Sequence, residues 1–143
     1  PLINKAKGFR GSFVDELLDK GNVAVAEVNI TGLKTDWFAH SKIDFVSDMQ
    51  PAGAVSNISL KPNNPVFTAT EIGGFMRDVD TEYKIINDIA NSLGNNTSAV
   101  GTIKLLTERP PCDSCANVIM QFTNKYKNIV IEVVDNGHQL LIP

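Results

Sequence analysis

The stretch GTIKLLTERPPCDSCANVIMQF, residues 101–122, joins a strand pattern to a helix pattern. Its first part is nearly continuous in apolar character at the centre, as in a strand that is buried on both faces. Its second part has an apolar helical stripe, made of Cys115, Val118, Ile119 and Phe122. A double proline and the spacing Cys112-x-x-Cys115 lie between the two parts. A buried strand that leads into an amphipathic helix predicts an α/β domain.

The chain on both sides of this stretch continues the alternation of strands and helices. Helices are predicted for residues 11–21, 80–94 and 112–126, and strands for 22–33, 37–46, 99–108, 128–135 and 138–142. Residues 47–79, with three prolines and much Ser, Asn and Gly, are predicted to form a long loop. The turn signal Asn136–Gly137 leaves no room for a crossover helix between the last two strands. We therefore expect a single mixed sheet of about five strands, covered by helices and ending in an antiparallel hairpin.

Length and composition limit the classes of protein that the chain can belong to. With 143 residues, 43% hydrophobic and 20% charged, the chain is long enough to bury the core of one globular domain. A net charge of -3 argues against non-specific nucleic-acid binding through a basic excess. No apolar run reaches the ~18 residues of a membrane span. Because the chain begins with Pro1 and lacks the apolar core of a signal peptide, we expect residues 1–143 to be one domain of a longer protein.

Three kinds of site compete for the two cysteines, Cys112 and Cys115. A redox pair of the thioredoxin kind would also lie where a strand meets a helix, since the helix N-terminus favours a thiolate. A disulfide between residues three apart closes too short a loop to stabilise much. A structural zinc site needs four ligands, and the chain has no second Cys-x-x-Cys. Partners elsewhere in the chain must decide between these sites.

Two carboxylates at the start of the preceding helix, Asp80 and Glu82, supply such partners. Glu82 lies on the same helical stripe as the three isoleucines of that helix and therefore faces the core. A carboxylate in that position is costly unless it is paired, hydrogen-bonded or working. Helix capping explains Asp80 but not the inward position of Glu82. If the two helices lie side by side, Asp80, Cys112 and Cys115 converge and leave one zinc position open, which is the catalytic pattern.

These residues also match a known signature. DTE at 80–82 and PPCDSC at 110–115 fit the [His/Cys/Asp]-x-Glu … Pro-Cys-x-x-Cys pattern of the cytidine deaminase-like superfamily. Over roughly residues 20–134, runs such as NVAVAEVNITGL, AHSKID and DTEYKIINDIA resemble the deaminase domains of bacterial polymorphic toxins. The resemblance implies a three-layer α/β/α cytidine deaminase-like fold, with residues 1–143 forming a single deaminase domain, the C-terminal toxin domain of a larger protein.

The resemblance also assigns roles in the chemistry. It implies that Asp80, Cys112 and Cys115 bind Zn²⁺, and that Glu82 is the general acid/base that moves protons between water, the ring nitrogen and the leaving ammonia. Asp80 departs from the commoner histidine at the first ligand position. His40 is therefore the rival third ligand, with Asp80 preferred on motif spacing.

Three further residues are carried over by position as substrate-binding residues: Asn22, His40 and Ser41, which the resemblance places along the base pocket. Aromatic and basic side chains that could hold a single strand by stacking and charge are Trp37, Phe38, Phe67, Lys34, Lys42 and Arg77. Each of these six could equally be core or solvated surface.

The expected substrate is cytosine within single-stranded DNA, converted to uracil. The tight C-terminal hairpin is similar to that of the cytidine deaminase-like division, whereas a helix intervenes in the tRNA adenosine deaminases. RNA and free cytidine, deoxycytidine or nucleotides are the alternatives, and a redox or non-enzymatic Cys-x-x-Cys domain is the second alternative. The resemblance to toxins implies delivery as part of a larger secreted protein, action in the target-cell cytoplasm, and a cognate immunity protein as partner.

Overall fold

A computed structural model of the chain describes residues 2–11, 22–41, 43, 58–60, 71–72, 75–76, 81–108, 113–137 and 139, with the backbone alone at 71–72, 75–76 and 113–116. Its helices are α1 (Leu2–Gly11), α2 (Thr81–Leu93) and α3 (Asp113–Lys125). Its strands are β1 (Val23–Ile30), β2 (Asp36–His40), β3 (Glu71–Ile72), β4 (Phe75–Met76), β5 (Gly101–Thr107) and β6 (Ile129–Asp135). No helix in this described part is long and apolar enough to cross a membrane.

The main sheet has the order β2-β1-β5-β6. The pairs β1–β2 and β1–β5 are antiparallel, and β5–β6 is parallel, so the prediction of a single mixed sheet is confirmed. The sheet has four strands instead of the predicted five. The strand predicted at 138–142 lies outside the described residues, apart from Gln139. Gln139 N donates to Asn136 O at 3.1 Å, which closes a turn directly after β6. β3 and β4 form a separate two-stranded pair.

Helices cover both faces of the sheet, as the three-layer prediction requires. On β1, Ala24 and Ala26 belong to the core cluster that α2 and α3 complete, whereas Val23 and Val25 pack with Ala6 of α1. Because successive strand residues point to opposite faces, β1 is buried on both. The near-continuous apolar sequence of β1 and the centre of β5 follows from this burial.

Helix α2 forms where the isoleucine stripe predicts it. Ile85, Ile86 and Ile89 are completely buried, and Gly94 ends the helix with a φ of +57°, a conformation that glycine adopts without strain. The hydroxyl of Tyr126, directly after α3, donates to Gly94 O at 2.6 Å and to Ala90 O at 3.3 Å. The C-terminal ends of α2 and α3 therefore lie together.

The first helix differs from the prediction. The structure has a helix at Leu2–Gly11, which the sequence reading assigned to no element, whereas residues 12–21 of the predicted helix lie outside the described part. Helix α1 buries Ala6 and Arg10, so one of its two buried positions carries a charge. A helix that buries an arginine shows no clear apolar stripe, and for this reason the pattern went undetected.

Candidate active site

Four chain segments meet at one end of the sheet. They are the residue before β1, the last residues of β2, the end of β5 and the first turn of α2. Asn22 joins them, because its Nδ2 donates to Thr81 Oγ1 and to Thr107 Oγ1, each at 2.8 Å. Asn22 is 8% exposed, and both hydroxyl acceptors are buried. The two amide hydrogens of Asn22 are thus used inside the protein, and Asn22 fixes the start of α2 to the sheet.

Glu82 lies in the first turn of α2, next to Thr81. It is 4% exposed, which agrees with the inward position that the helical stripe predicts. The N-terminal turn of a helix favours an anionic side chain, because unpaired backbone N–H groups and the helix dipole both point there. The structure therefore places a buried carboxylate at the end of the sheet where the four segments meet, and its catalytic role stays a prediction.

His40 and Ser41 end β2 beside Asn22. Ser41 N donates to Asn22 O at 2.9 Å, and Asn22 N donates to Ser41 Oγ at 2.8 Å, so the two residues hold each other through two bonds. His40 is completely buried. The structure thus brings the predicted residues Asn22, His40, Ser41 and Glu82 to the same end of the sheet.

The positions of the predicted zinc ligands, Asp80, Cys112 and Cys115, follow only from the residues next to them in the chain. Asp80, Cys112 and the side chain of Cys115 lie outside the described residues, and among those that are described no group of three His, Cys, Asp or Glu residues could hold a metal ion. Helix α2 begins directly after Asp80, and α3 begins directly after Cys112.

The arrangement of α2 and α3 tests whether these residues fit a metal. Both helices have 13 residues, both pack into the core on the same face of the sheet, and Tyr126 holds their C-terminal ends together. Each runs opposite to β5, since α2 leads into β5 and α3 joins β5 to the parallel β6. Their first turns therefore lie at the same end. A donor set of two thiolates and one carboxylate suits Zn²⁺, so the chemistry of the predicted ligands fits this metal.

Two buried charged residues near the site were missed by the sequence reading. Arg10 Nε donates to Glu108 Oε2 at 2.7 Å and Arg10 Nη2 donates to Glu108 Oε1, with both side chains completely buried. Glu108 Oε1 also accepts from Val23 N at 2.8 Å. This ion pair ties α1 to the residue that follows β5, four positions before Cys112. A lone Arg and a lone Glu carry no sequence signal that would pair them.

A third buried charge is Lys84 of α2. It is completely buried, and its Nζ donates to His40 O and to Ile43 O, each at 2.9 Å. In the sequence, its burial is indicated only by its position between Glu82 and the isoleucines, near the start of a largely buried helix.

Two aromatic side chains that were considered for the pocket, Trp37 and Phe38, pack against other parts of the protein. Trp37 is 3% exposed and belongs to the core, with its Nε1 donating to Lys34 O at 2.8 Å. The Lys34 ammonium lies 4.2 Å from the centre of that ring, beside the β1–β2 turn at the opposite end of the sheet. Phe38 stacks on Phe9 of α1, with ring centres 4.9 Å apart. Of the alternatives that the sequence left open for Trp37, the structure shows the core.

The other three candidates, Phe67, Lys42 and Arg77, lie outside the described residues.

Comparison with known protein families identifies the family of the chain. A sequence model of the toxin-deaminase family, described as the BURPS668_1122 family of deaminases, matches residues 6–137. The comparisons with curated proteins and with solved structures gave no match. The family match includes Asp80, Glu82, Cys112 and Cys115, and it spans the whole sheet. The chain therefore belongs to this toxin-deaminase family and is a deaminase domain of the cytidine deaminase-like superfamily.

Proposed function

We propose that the domain is a zinc-dependent hydrolytic deaminase that converts cytosine to uracil in single-stranded DNA. The observation that carries the proposal is the buried carboxylate of Glu82 in the first turn of α2, beside the parallel helix α3 whose first turn contains Cys115. Asp80, Cys112 and Cys115 would hold the metal, with His40 as the alternative to Asp80. When bound, zinc supplies a Lewis acid that lowers the pKa of a water molecule to roughly 7.

The chain's own contribution to the reaction is proton transfer and shielding from bulk water. The Glu82 carboxylate takes a proton from the attacking water and delivers it to the ring nitrogen next to C4. The oxygen of that water bonds to C4, and the same carboxylate moves the second proton of the water from this oxygen to the amino nitrogen. The C4–N bond then breaks, and uracil and ammonia result. The bonds of Asn22 to Thr81 keep this turn in place.

Cytosine is favoured over adenine by the tight turn after β6. Asn136 and Gly137 form this turn, in which Gly137 has a φ of +60° and donates its N–H to Asp135 Oδ1 at 2.9 Å. The resemblance associates a tight turn at this point with the cytidine deaminase-like division, whereas a helix follows in the adenosine deaminase division. The toxin role of the family favours single-stranded DNA over RNA and free nucleosides. Single-stranded DNA is also favoured over duplex DNA, because a base within a duplex hides its C4 atom.

The biological setting follows from the same family. We propose that residues 1–143 form the C-terminal toxin domain of a larger secreted or delivered protein that acts in the cytoplasm of the target cell. A cognate immunity protein would then be its protein partner.

The test compares Glu82→Gln with Asp88→Asn, which removes a carboxylate from the same helix. Asp88 is half-buried and accepts a bond from Ser59 Oγ at 2.7 Å, away from the N-terminal turn. Glu82→Gln should lower the deamination rate at saturating substrate by about 10²–10⁴ with zinc content unchanged, and Asp88→Asn should retain that rate. Wild-type activity in Glu82→Gln would refute the role of Glu82.

The substrate is tested by offering the same amount of cytosine as single-stranded DNA, duplex DNA, RNA and free cytidine. Uracil should form fastest in single-stranded DNA. Faster reaction of free cytidine would place the domain among salvage enzymes, and inosine formed from adenine would contradict the base assignment. Metal analysis that finds no zinc, together with a reducible disulfide, would favour a redox pair.

A further inference from the structure

Lys84 is a completely buried lysine on the helix that contains Glu82. A buried ammonium is costly unless its N–H groups find acceptors, because it loses its hydration. The Nζ of Lys84 donates to two backbone carbonyls, those of His40 and Ile43, at 2.9 Å each. A side chain of α2 is thus bound to the chain that leaves β2.

The two carbonyls belong to one turn. Ile43 N donates to His40 O at 3.0 Å, which closes the turn, and His40 O also accepts from Lys84. On its other side the turn is held by the two bonds between Ser41 and Asn22. His40 and Ile43 are both completely buried. The turn is therefore bonded to β1 on one side and to α2 on the other, and Lys84 makes the bonds to α2.

A second contact holds the same connection further along α2. Asp88, one helical turn after Lys84 and hence on the same side of the helix, accepts from Ser59 Oγ. Ser59 N in turn donates to Phe38 O of β2 at 2.7 Å. Polar side chains on one side of α2 thus bind the described parts of the chain that follow β2.

We propose that Lys84 is a positioning residue that fixes the His40–Ile43 turn, as one wall of the base pocket, to the helix that contains Glu82. The inference rests on the proposed function, in which His40 and Ser41 line that pocket. Without the ammonium, the carbonyls of His40 and Ile43 each lose one bond, His40 O retains the bond from Ile43 N, and the turn samples other conformations. The apparent affinity for substrate is then the intrinsic affinity multiplied by the fraction of molecules in which the pocket is correctly formed.

The chemical step should respond less than binding. The first turn of α2 is fixed separately, by the bonds from Asn22 to Thr81 and Thr107. Glu82 therefore keeps its place when Lys84 is changed. A substitution of Lys84 should raise KM and the Kd for substrate while kcat changes little, which is the pattern of lost ground-state binding.

The test uses Lys84→Met, with Tyr126→Phe as the matched control. Tyr126 is completely buried and also donates to two carbonyls of α2, but at the other end of the helix. Both variants should lose stability. Lys84→Met alone should raise KM for a single-stranded oligonucleotide with one cytosine by about tenfold, with kcat within about threefold. The Kd measured in the Glu82→Gln background should rise by the same factor.

Two results would overturn the inference: equal Kd values for the two variants, or a fall in kcat with KM unchanged. If Lys84→Met does not fold, NMR of the unmodified chain decides instead. The ammonium protons of Lys84 should exchange with water much more slowly than those of Lys104, which is exposed on β5. Equally fast exchange would refute the proposal that a buried Lys84 ammonium holds the His40–Ile43 turn. The failure of the proposed function looks different: the unmodified chain would then form no uracil from any cytosine substrate, whatever the state of Lys84.

Discussion

The buried ion pair between Arg10 and Glu108 allows a quantitative prediction of stability. Removing one partner leaves the other as an uncompensated buried charge, which costs about 3–5 kcal/mol. Both side chains are completely buried, so solvent screening does not reduce this cost. Glu108→Ala should be the worse variant, because the N–H of Val23 also loses its acceptor, at a further cost of about 1–3 kcal/mol. Arg10→Ala should cost about 3–5 kcal/mol.

The double variant Arg10→Met/Glu108→Leu should be far more stable than the two single costs imply. It removes both charges and fills the space with apolar atoms, which is often neutral for buried pairs. What remains is the unpaired N–H of Val23, so the expected loss is about 1–3 kcal/mol. The single variants Arg10→Met and Glu108→Leu close the cycle and should cost as much as the alanine variants, since each also leaves one buried charge unpaired. The coupling between the two sites should therefore be at least about 4 kcal/mol.

Urea unfolding followed by circular dichroism measures all the variants, in a Glu82→Gln background that removes activity. Lys5→Ala is the control on the same helix, since Lys5 binds Asp36 at 2.6 Å with both side chains about a third or more exposed (32% and 43%). Such an exposed pair contributes at most about 1 kcal/mol. If Arg10→Ala costs no more than Lys5→Ala, or if the double variant equals the sum of the singles, the account of a buried, mutually dependent pair is wrong.

Further predictions concern the sheet and the metal. Gly101→Ala should lower the free energy of unfolding by about 2 kcal/mol or more, because a Cβ there would lie 2.1 Å from Asn29 O, and urea unfolding checks it. Cys112→Ser and Cys115→Ser should each lose zinc in metal analysis and lower the melting temperature; a wild-type melting temperature unchanged by chelator would contradict a zinc that links the helices. Asp80→His should retain zinc, whereas an anomalous-scattering map with zinc on a different side chain would overturn that ligand.

The parts of the fold that follow from apolar pattern could be predicted from the sequence. The apolar run of β1 and the isoleucines of α2 identify these elements, because each apolar side chain needs only a buried face and not a particular partner. The position of Glu82 followed from the same helical stripe. A carboxylate that shares a stripe with buried isoleucines is buried wherever that helix packs, and the structure shows it at 4% exposure.

The buried charges could not be predicted, because their burial depends on partners far away in the sequence. Arg10 and Glu108 are 98 positions apart, and each alone looks like an ordinary surface residue. Lys84 binds backbone carbonyls, which every residue has, so no sequence pattern identifies its acceptors. The position of Trp37 stayed open for a different reason. An aromatic residue near a turn is compatible with a binding surface and with a core, and only the packing distinguishes them.

Several buried polar contacts of the described residues lie close to the proposed active site. Three sets of contacts lie at the end of the sheet where α2 begins: the Arg10–Glu108 pair, the bonds of Asn22 and the bonds of Lys84. Well-packed apolar residues would often stabilise a core equally well or better than buried ions, so stability alone does not account for such a concentration. Satisfied polar networks fix one geometry, since a small displacement leaves buried donors and acceptors unpaired. The proposed site, which must hold a base within reach of the Glu82 carboxylate, needs that precision at this end of the sheet.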